Sequence, residues 1–264
     1  MRWKKVIIFN VIVTISLLFL LPGFGNCTQK IQVKVEPASL LLGTFYRGAD
    51  IKVMGSVPAG SDVVVRFMGI KKDLHLKKKG KVLGLLWMNL DTFVFKGIPN
   101  VCLIYSNKQL ASGSREASGS SNDAWRLSLE ALESQIDIEP EPKDKTFLVK
   151  ELVKMKKLEG LYVENSEGVK VTQKGGDIEP FEAHVKVPSS LTPGNYAVEV
   201  YALADGNITG SKVIPIEAKL VGLPAFLYKM AFKHALLYGV LATIVAILGG
   251  LLMGLIFGAG KGAH

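Results

Sequence analysis

Residues 235–258, ALLYGVLATIVAILGGLLMGLIFG, carry no charged side chain. A helix needs about 20 apolar residues to cross the hydrocarbon core of a bilayer, and this run is longer. It is therefore read as a transmembrane helix. Tyr228, Lys229, Lys233 and Tyr238 flank its outer end as interfacial anchors do, and Lys261 follows its inner end. Within the run, Ala246, Gly250, Gly254 and Gly258 recur at every fourth position and so line one side of the helix. In lipid, where packing and weak hydrogen bonds drive association, such a small-residue stripe lets a second helix approach closely. The competing reading is that glycine is simply frequent in membrane helices. Whether the stripe would meet a second copy or another protein stays open at this stage.

The other end of the chain has its own apolar run. MRWKK precedes residues 6–21, and PGFGNCTQK follows them. A basic start, an apolar centre and a small-residue exit have the form of a secretory signal peptide, assigned to residues 1–27. Gly23 with Gly25, or Gly25 with Cys27, supplies the small positions before cleavage. An uncleaved N-terminal anchor and acylation of Cys27 are the alternatives, and Asn26 fits the second poorly. More positive charge precedes the C-terminal span than follows it, so the leader sets the orientation. The bulk of the chain is expected in the periplasm, and the tail 259–264 in the cytoplasm. The end of the chain, with GAGKGA at 258–263, lacks the strand and helix that a phosphate-binding loop requires.

Between the two ends the pattern is mainly β. In residues 28–110, IQVKV turns Ile31, Val33 and Val35 one way and Gln32 and Lys34 the other. DIKVM repeats the alternation, and DVVVRFMG is apolar throughout, as in a strand buried on both faces. VPAGSD and KKKGK read as turns. KVLGLLWM reads as a strand, NLDT as a turn through Asn89 and Asp91, and FVFKG as the returning strand. Trp87 is then expected in the core or in strand pairing rather than against a ligand. Residues 111–160 hold a polar loop and two helices. The first sets Trp125, Leu129, Leu132 and Ile136 on one face, and DIEPEPKD ends it as a linker. The second, capped by Asp144 and ended by Gly160, has a stripe of Leu148, Leu152, Met155 and Leu158, with Val149 and Val153 beside it.

Strands return over 161–219. FEAHVKV places Phe181, Ala183, Val185 and Val187 on one face and Glu182, His184 and Lys186 on the other. Tyr196, two residues after the Pro193-Gly194 bend, occupies the place of the corner tyrosine of immunoglobulin-like sandwiches. Residues 220–234 form a juxtamembrane segment. The expected fold is mainly β: one or more immunoglobulin-like sandwiches with a short helical insertion, and one C-terminal transmembrane helix.

No constellation of catalytic or metal-binding residues stands out, and no cofactor is implied. His75 and His184 fall on polar strand faces, His234 at the membrane edge, and His264 ends the chain. None has the close partner spacing of a helical metal site. Cys102, flanked by apolar residues, reads as a buried and inert thiol, paired with Cys27 only if cleavage spares the latter. The formal net charge of +9 is too dispersed for a nucleic-acid interface. One basic cluster is local: Lys71, Lys72, Lys77, Lys78, Lys79 and Lys81 in KKDLHLKKKGK. It could meet anionic lipid or an envelope polymer, though a solvated loop guarding a strand edge is the plainer reading.

DVVVRFMG, KGKVLGLLWMN, FKGIPNVCLIYSNKQL, KKLEGLYVE, VPSSLTPGNYAVEVYAL and the apolar C-terminal run occur in one order over most of the chain. In this the sequence resembles an uncharacterised family of transmembrane proteins described chiefly from alphaproteobacteria. The resemblance implies a signal peptide, a periplasmic domain and an anchor in the bacterial inner membrane, and it supplies no catalytic residues. It also implies a genomic setting beside an integral-membrane exporter of sulfite or organosulfonates. The expectation is thus a non-enzymatic accessory subunit of a membrane protein such as a transporter. A ligand- or envelope-binding sandwich is the second reading, and an enzyme with a site built across strands is the third.

Overall fold

The computed structural model describes residues 31–110, 123–173 and 175–258. The leader 1–27 with Cys27, the polar loop 111–122, and the tail with Lys261 and His264 lie outside the described residues.

The alternating segments become two packed sheets. One is fully antiparallel, in the order β1 (Gln32–Glu36), β3 (Ala49–Pro58), β11 (Ile178–Val187), β10 (Val169–Val171). The other has the order β2 (Ser39–Leu42), β13 (Asn207–Leu220), β12 (Gly194–Ala204), β4 (Asp62–Met68), β7 (Cys102–Ser106), β9 (Tyr162–Asn165). Its two outer pairs, β2 with β13 and β7 with β9, are parallel, and the inner ones are antiparallel. In immunoglobulin lettering this is A-B-E-D against G-F-C, with β2 carrying the first strand across to the second sheet. The N-terminal and C-terminal β regions are interleaved in this one sandwich. Val53 lies opposite Ala183 in the first sheet, and Val65 opposite Val200 in the second. All four are buried, and Phe67 stacks on Tyr196 with ring centroids 5.2 Å apart.

The helical insertion supplies a further layer. β4 and β7 are buried on both faces, because alternate residues face the sandwich interior and the rest join a core shared with the helices. The single helix expected over 120–135 is two in its described part: α1 (Asp123–Arg126) and α2 (Leu129–Gln135). Ser128 breaks the run, since its hydroxyl accepts from Ala131 N at 3.2 Å and starts α2 afresh. The acidic stretch that follows is not simply a linker: β8 (Asp137–Glu139) pairs with β6 (Leu86–Pro99) and buries Ile138. Asp144 caps α3 (Lys145–Leu158) by accepting from Phe147 N at 2.9 Å, as expected. The buried stripe of α3 is Val149, Leu152 and Val153. Leu158, expected in it, ends the helix exposed.

A third sheet grows out of the second. Val64 pairs with Ser106 and Met68 with Cys102 in the β4–β7 ladder. Gly69 N then donates to Val101 O at 2.9 Å and Asn100 N to Ile70 O at 3.2 Å. Without a slip, Lys71 pairs with Pro99 and Lys72 with Ile98 as β5 (Lys71–Val82) meets β6. One two-stranded ribbon therefore starts inside the sandwich and runs out of it. Two bulges follow. At the first, Gly97 adopts φ +57° and its N–H donates to Asp73 at 2.9 Å. At the second, Leu90 is the extra residue between Asn89 and Asp91.

The ribbon corrects two turn assignments. KKKGK lies within β5 and NLDT within β6. The chain instead reverses at Leu83 and Gly84, both at positive φ, with Leu85 N donating to Val82 O at 3.3 Å. Asn89 and Asp91 have turn chemistry, but here they are ladder residues opposite Lys79 and Lys78.

Candidate functional site

The ribbon gains its character from strand alternation. In β5, Lys77, Lys79 and Lys81 point to one face, and across the ladder they meet Thr92, Asn89 and Trp87. The Lys81 ammonium lies 5.4 Å from the centre of the Trp87 ring, a cation–π contact. The opposite face carries the Lys78–Asp91 pair and then, towards the turn, Gly80, Val82, Leu86 and Met88, with Leu90 covering Gly80. Towards the root, this second face becomes the pairs Leu76–Phe93 and Leu74–Phe95, in which the phenylalanines are buried and the leucines half-buried against the core. Towards the tip no described residue covers it: Leu83, Leu85, Leu86, Trp87, Met88 and Leu90 are all exposed, Leu83 to 89%.

The six lysines singled out in the sequence are thus brought onto one strand, with Lys71 and Lys72 at the root and the other four along the outer half. None forms an ion pair with a described residue, and Lys78 only faces Asp91 across the ladder. Trp87 takes part in strand pairing, as expected, but it is not core: 68% of it is exposed. An aromatic in a strand satisfies the same propensity on either face, so the sequence left its burial open.

The root of the ribbon is fixed to one end of the sandwich. Asn100 packs against Gly69, where a Cβ would collide with its amide. Its Nδ2 donates to Thr192 Oγ1 at 3.2 Å and to the Tyr196 hydroxyl at 3.1 Å. The Tyr196 hydroxyl in turn donates to Thr192 O at 2.6 Å, which completes the expected tyrosine corner. Tyr196 pairs with Ile216, and Ala197 lies between Met68 and Pro215. The last residues of β4 and β13 therefore share one end of the sheet.

From that same end the chain leaves for the membrane. β13 stops at Leu220, α4 (Leu223–Lys233) follows, and α5 (Ala235–Gly258) begins after a break at His234. In α4, Leu223, Phe226, Leu227 and Met230 have the spacing of one helix face, with Lys229 and Lys233 elsewhere on the helix. Tyr228 and Phe232 lie with rings 4.7 Å apart. Phe226, Leu227, Tyr228 and Phe232 are exposed, a composition suited to a headgroup boundary. α5 is long and apolar enough to span, and it is not buried against any other described residue. At Gly250 and Gly254 an added Cβ would meet nothing within 4 Å. Among the described residues nothing covers Ala246, Gly250 or Gly254 of the small-residue stripe.

Other polar groups are arranged differently. His184 lies on the outer face of the first sheet, with Nδ1 3.2 Å from Asp50 and Nε2 3.0 Å from Glu182. Lys52 is 2.8 Å from Glu182 and holds its carboxyl below the usual range. All these side chains are exposed, forming a surface charge ladder beside an open cleft lined by Tyr105, Asn165 and Lys186. The Glu182–His184 spacing was visible in the sequence, whereas Asp50 comes from another strand. His75 sits on the lysine face of β5, opposite Val94. Cys102 is fully buried and unpaired, and burial pushes its thiol up to about 12. Among the described residues, no three His, Cys, Asp or Glu side chains are grouped to hold a metal ion.

No curated protein matches the chain. A family model described as "Putative transmembrane protein (Alph_Pro_TM)" matches residues 30–259, from the start of the sandwich through the membrane helix. With nearly its whole length covered, the chain belongs to this family of transmembrane proteins.

Proposed function

We propose that the protein is a non-enzymatic accessory subunit of an integral membrane protein, with a transporter as the expected class of partner. α5 crosses the bilayer, the leader places the sandwich in the periplasm, and the short tail faces the cytoplasm. The observation that carries this reading is α5 itself. It is exposed along its length, and its small residues Ala246, Gly250 and Gly254 offer a close approach that no other described residue occupies.

Affinity purification of the full-length protein from native membranes in mild detergent tests it. A membrane protein should co-purify in stoichiometric amount, and Gly250→Leu with Gly254→Leu should release it while the variant still inserts. Recovery of the protein alone, or only with itself, would overturn the proposal. A second reading, a binding module acting through the exposed domain, is supported by the uncovered lysine and leucine tip of the ribbon.

A further inference from the structure

The ribbon tip poses a question that its own fold does not answer. Lysines along an exposed edge strand have an ordinary explanation, since they prevent edge-to-edge pairing with another chain. That explanation does not extend to six large apolar side chains at the end of the same ribbon, which contribute no buried surface to the sandwich. The turn sharpens the point. Leu83 sits at φ +53°, in the left-handed region that favours Gly or Asn, and is among the most exposed residues described. Folding alone would select a different residue there.

We propose that the tip of the β5–β6 ribbon inserts into the interfacial layer of the membrane that α5 crosses, with its apolar side chains below the headgroups and its lysines on anionic lipid phosphates. Three features select a bilayer as the occupant. First, the ribbon root and the exit of β13 towards α5 share one end of the sheet, and Asn100 ties the root there through Thr192 and Tyr196. Second, the ribbon is long. β5 has 12 residues, which at about 3.3 Å each span about 40 Å. α4, the spacer between sandwich and span, has 11 residues and a length of about 16 Å. A ribbon of that length has ample reach to a bilayer on which the sandwich stands. Third, the two faces match a leaflet. Lys77, Lys79 and Lys81 lie along one face beside Trp87, and Val82, Leu86 and Met88 lie on the other. Aromatic and basic side chains of this kind partition to the headgroup level, and lysines near an anionic surface add attraction to its phosphates. Because α5 already tethers the domain, docking is intramolecular, so even weak contacts are populated. The inference does not depend on any partner of α5.

The test uses the full-length protein in nanodiscs of phosphatidylcholine, with or without phosphatidylglycerol. A polarity-sensitive fluorophore is placed at Leu85→Cys or, for comparison, at Ala59→Cys in the β3–β4 turn, both in a Cys27→Ser background. Cys102 is buried and does not compete for the label. With phosphatidylglycerol present, emission at Leu85→Cys should shift to shorter wavelength and be quenched by spin-labelled lipid, whereas Ala59→Cys should remain in water. Replacing Lys77, Lys78, Lys79 and Lys81 by Gln should lower the docking equilibrium at least about tenfold. Raising the salt concentration on the unsubstituted lysines should act in the same direction and covers the case in which the variant misfolds. A Leu85 label as wet as the Ala59 label would overturn the proposal. So would shielding that ignores phosphatidylglycerol, lysines and salt alike. Shielding that arises only when another protein co-purifies would assign the tip to a protein partner instead.

Discussion

The two halves of one ribbon make an instructive pair. The inner half, β4 with β7, and the outer half, β5 with β6, belong to a single ladder whose register passes unbroken through Gly69 and Val101. Inside, Val63, Val64, Val65, Phe67, Leu103 and Ile104 are fully buried between sandwich and helices. Outside, Leu85, Leu86, Trp87 and Met88 stand in water. Backbone pairing is the same in both halves. A buried Leu or Phe contributes about 1.5–3 kcal/mol to stability, and an exposed one contributes almost nothing. Apolar residues inside the sandwich are thus explained by folding, and those at the tip gain nothing from burial among the described residues.

This contrast can be broken by measurement. The largest effect is expected for Phe67→Ala, which removes a fully buried ring stacked on Tyr196 and should cost about 3–5 kcal/mol in chemical denaturation. A similar loss for Trp87→Ala, expected within about 0.5 kcal/mol, would erase the distinction.

Next in size is an alkaline effect. The Cys102 thiol is raised from the ordinary thiol range to about 12 by burial in the inner half. A raised acid contributes stability that is fully present below its unfolded pKa and is lost as pH climbs towards its folded one. Wild type should therefore lose roughly 2–3 kcal/mol relative to Cys102→Ala between neutral pH and about pH 11. Parallel pH profiles for the two proteins would show that the thiol is not isolated from water.

A smaller loss, about 1–2 kcal/mol, is expected for Tyr196→Phe. That change removes the bond to Thr192 O and the acceptor for Asn100. Faster amide exchange at Gly69 and Asn100 should accompany it, since the corner also holds the ribbon root. The smallest effect belongs to the tip. Leu83→Asn should leave stability unchanged or raise it by up to about 1 kcal/mol, because Asn accepts positive φ more readily. A clear loss in melting experiments would mean that Leu83 serves the fold after all.

Much of this architecture was legible in the sequence, for identifiable reasons. Alternation located the strands, Asp144 announced the start of α3, and Tyr196 after Pro193-Gly194 marked the corner, because each is a local rule with one physical cause. What escaped depends on distant partners. The sequence left open whether the two β regions share one sandwich, and the answer lies in β3 finding β11 and β4 finding β12 across more than a hundred residues. The ribbon turn was misplaced because KKKGK and NLDT both carry turn chemistry, while the true reversal has Leu83 at its apex. Register, carried out from β4 and β7 and shifted by two bulges before the turn, overruled local propensity. The lysines were noticed as a cluster, but the alignment of Lys77, Lys79 and Lys81 along one face beside Trp87 required the pairing partner. The exposure of the tip could not be read from residues that look like core.

The parallel pair of β2 and β13 has a mechanical consequence. Any force that draws the domain away from the bilayer enters through α5 and pulls along the axis of β13. That strand is hydrogen-bonded on both sides, to β2 from Glu217 to Leu220 and to β12 over most of its length. The bonds lie across the pulling direction, so the load shears them together rather than unzipping them one at a time. The membrane-facing end of this sandwich is thereby built to carry tension.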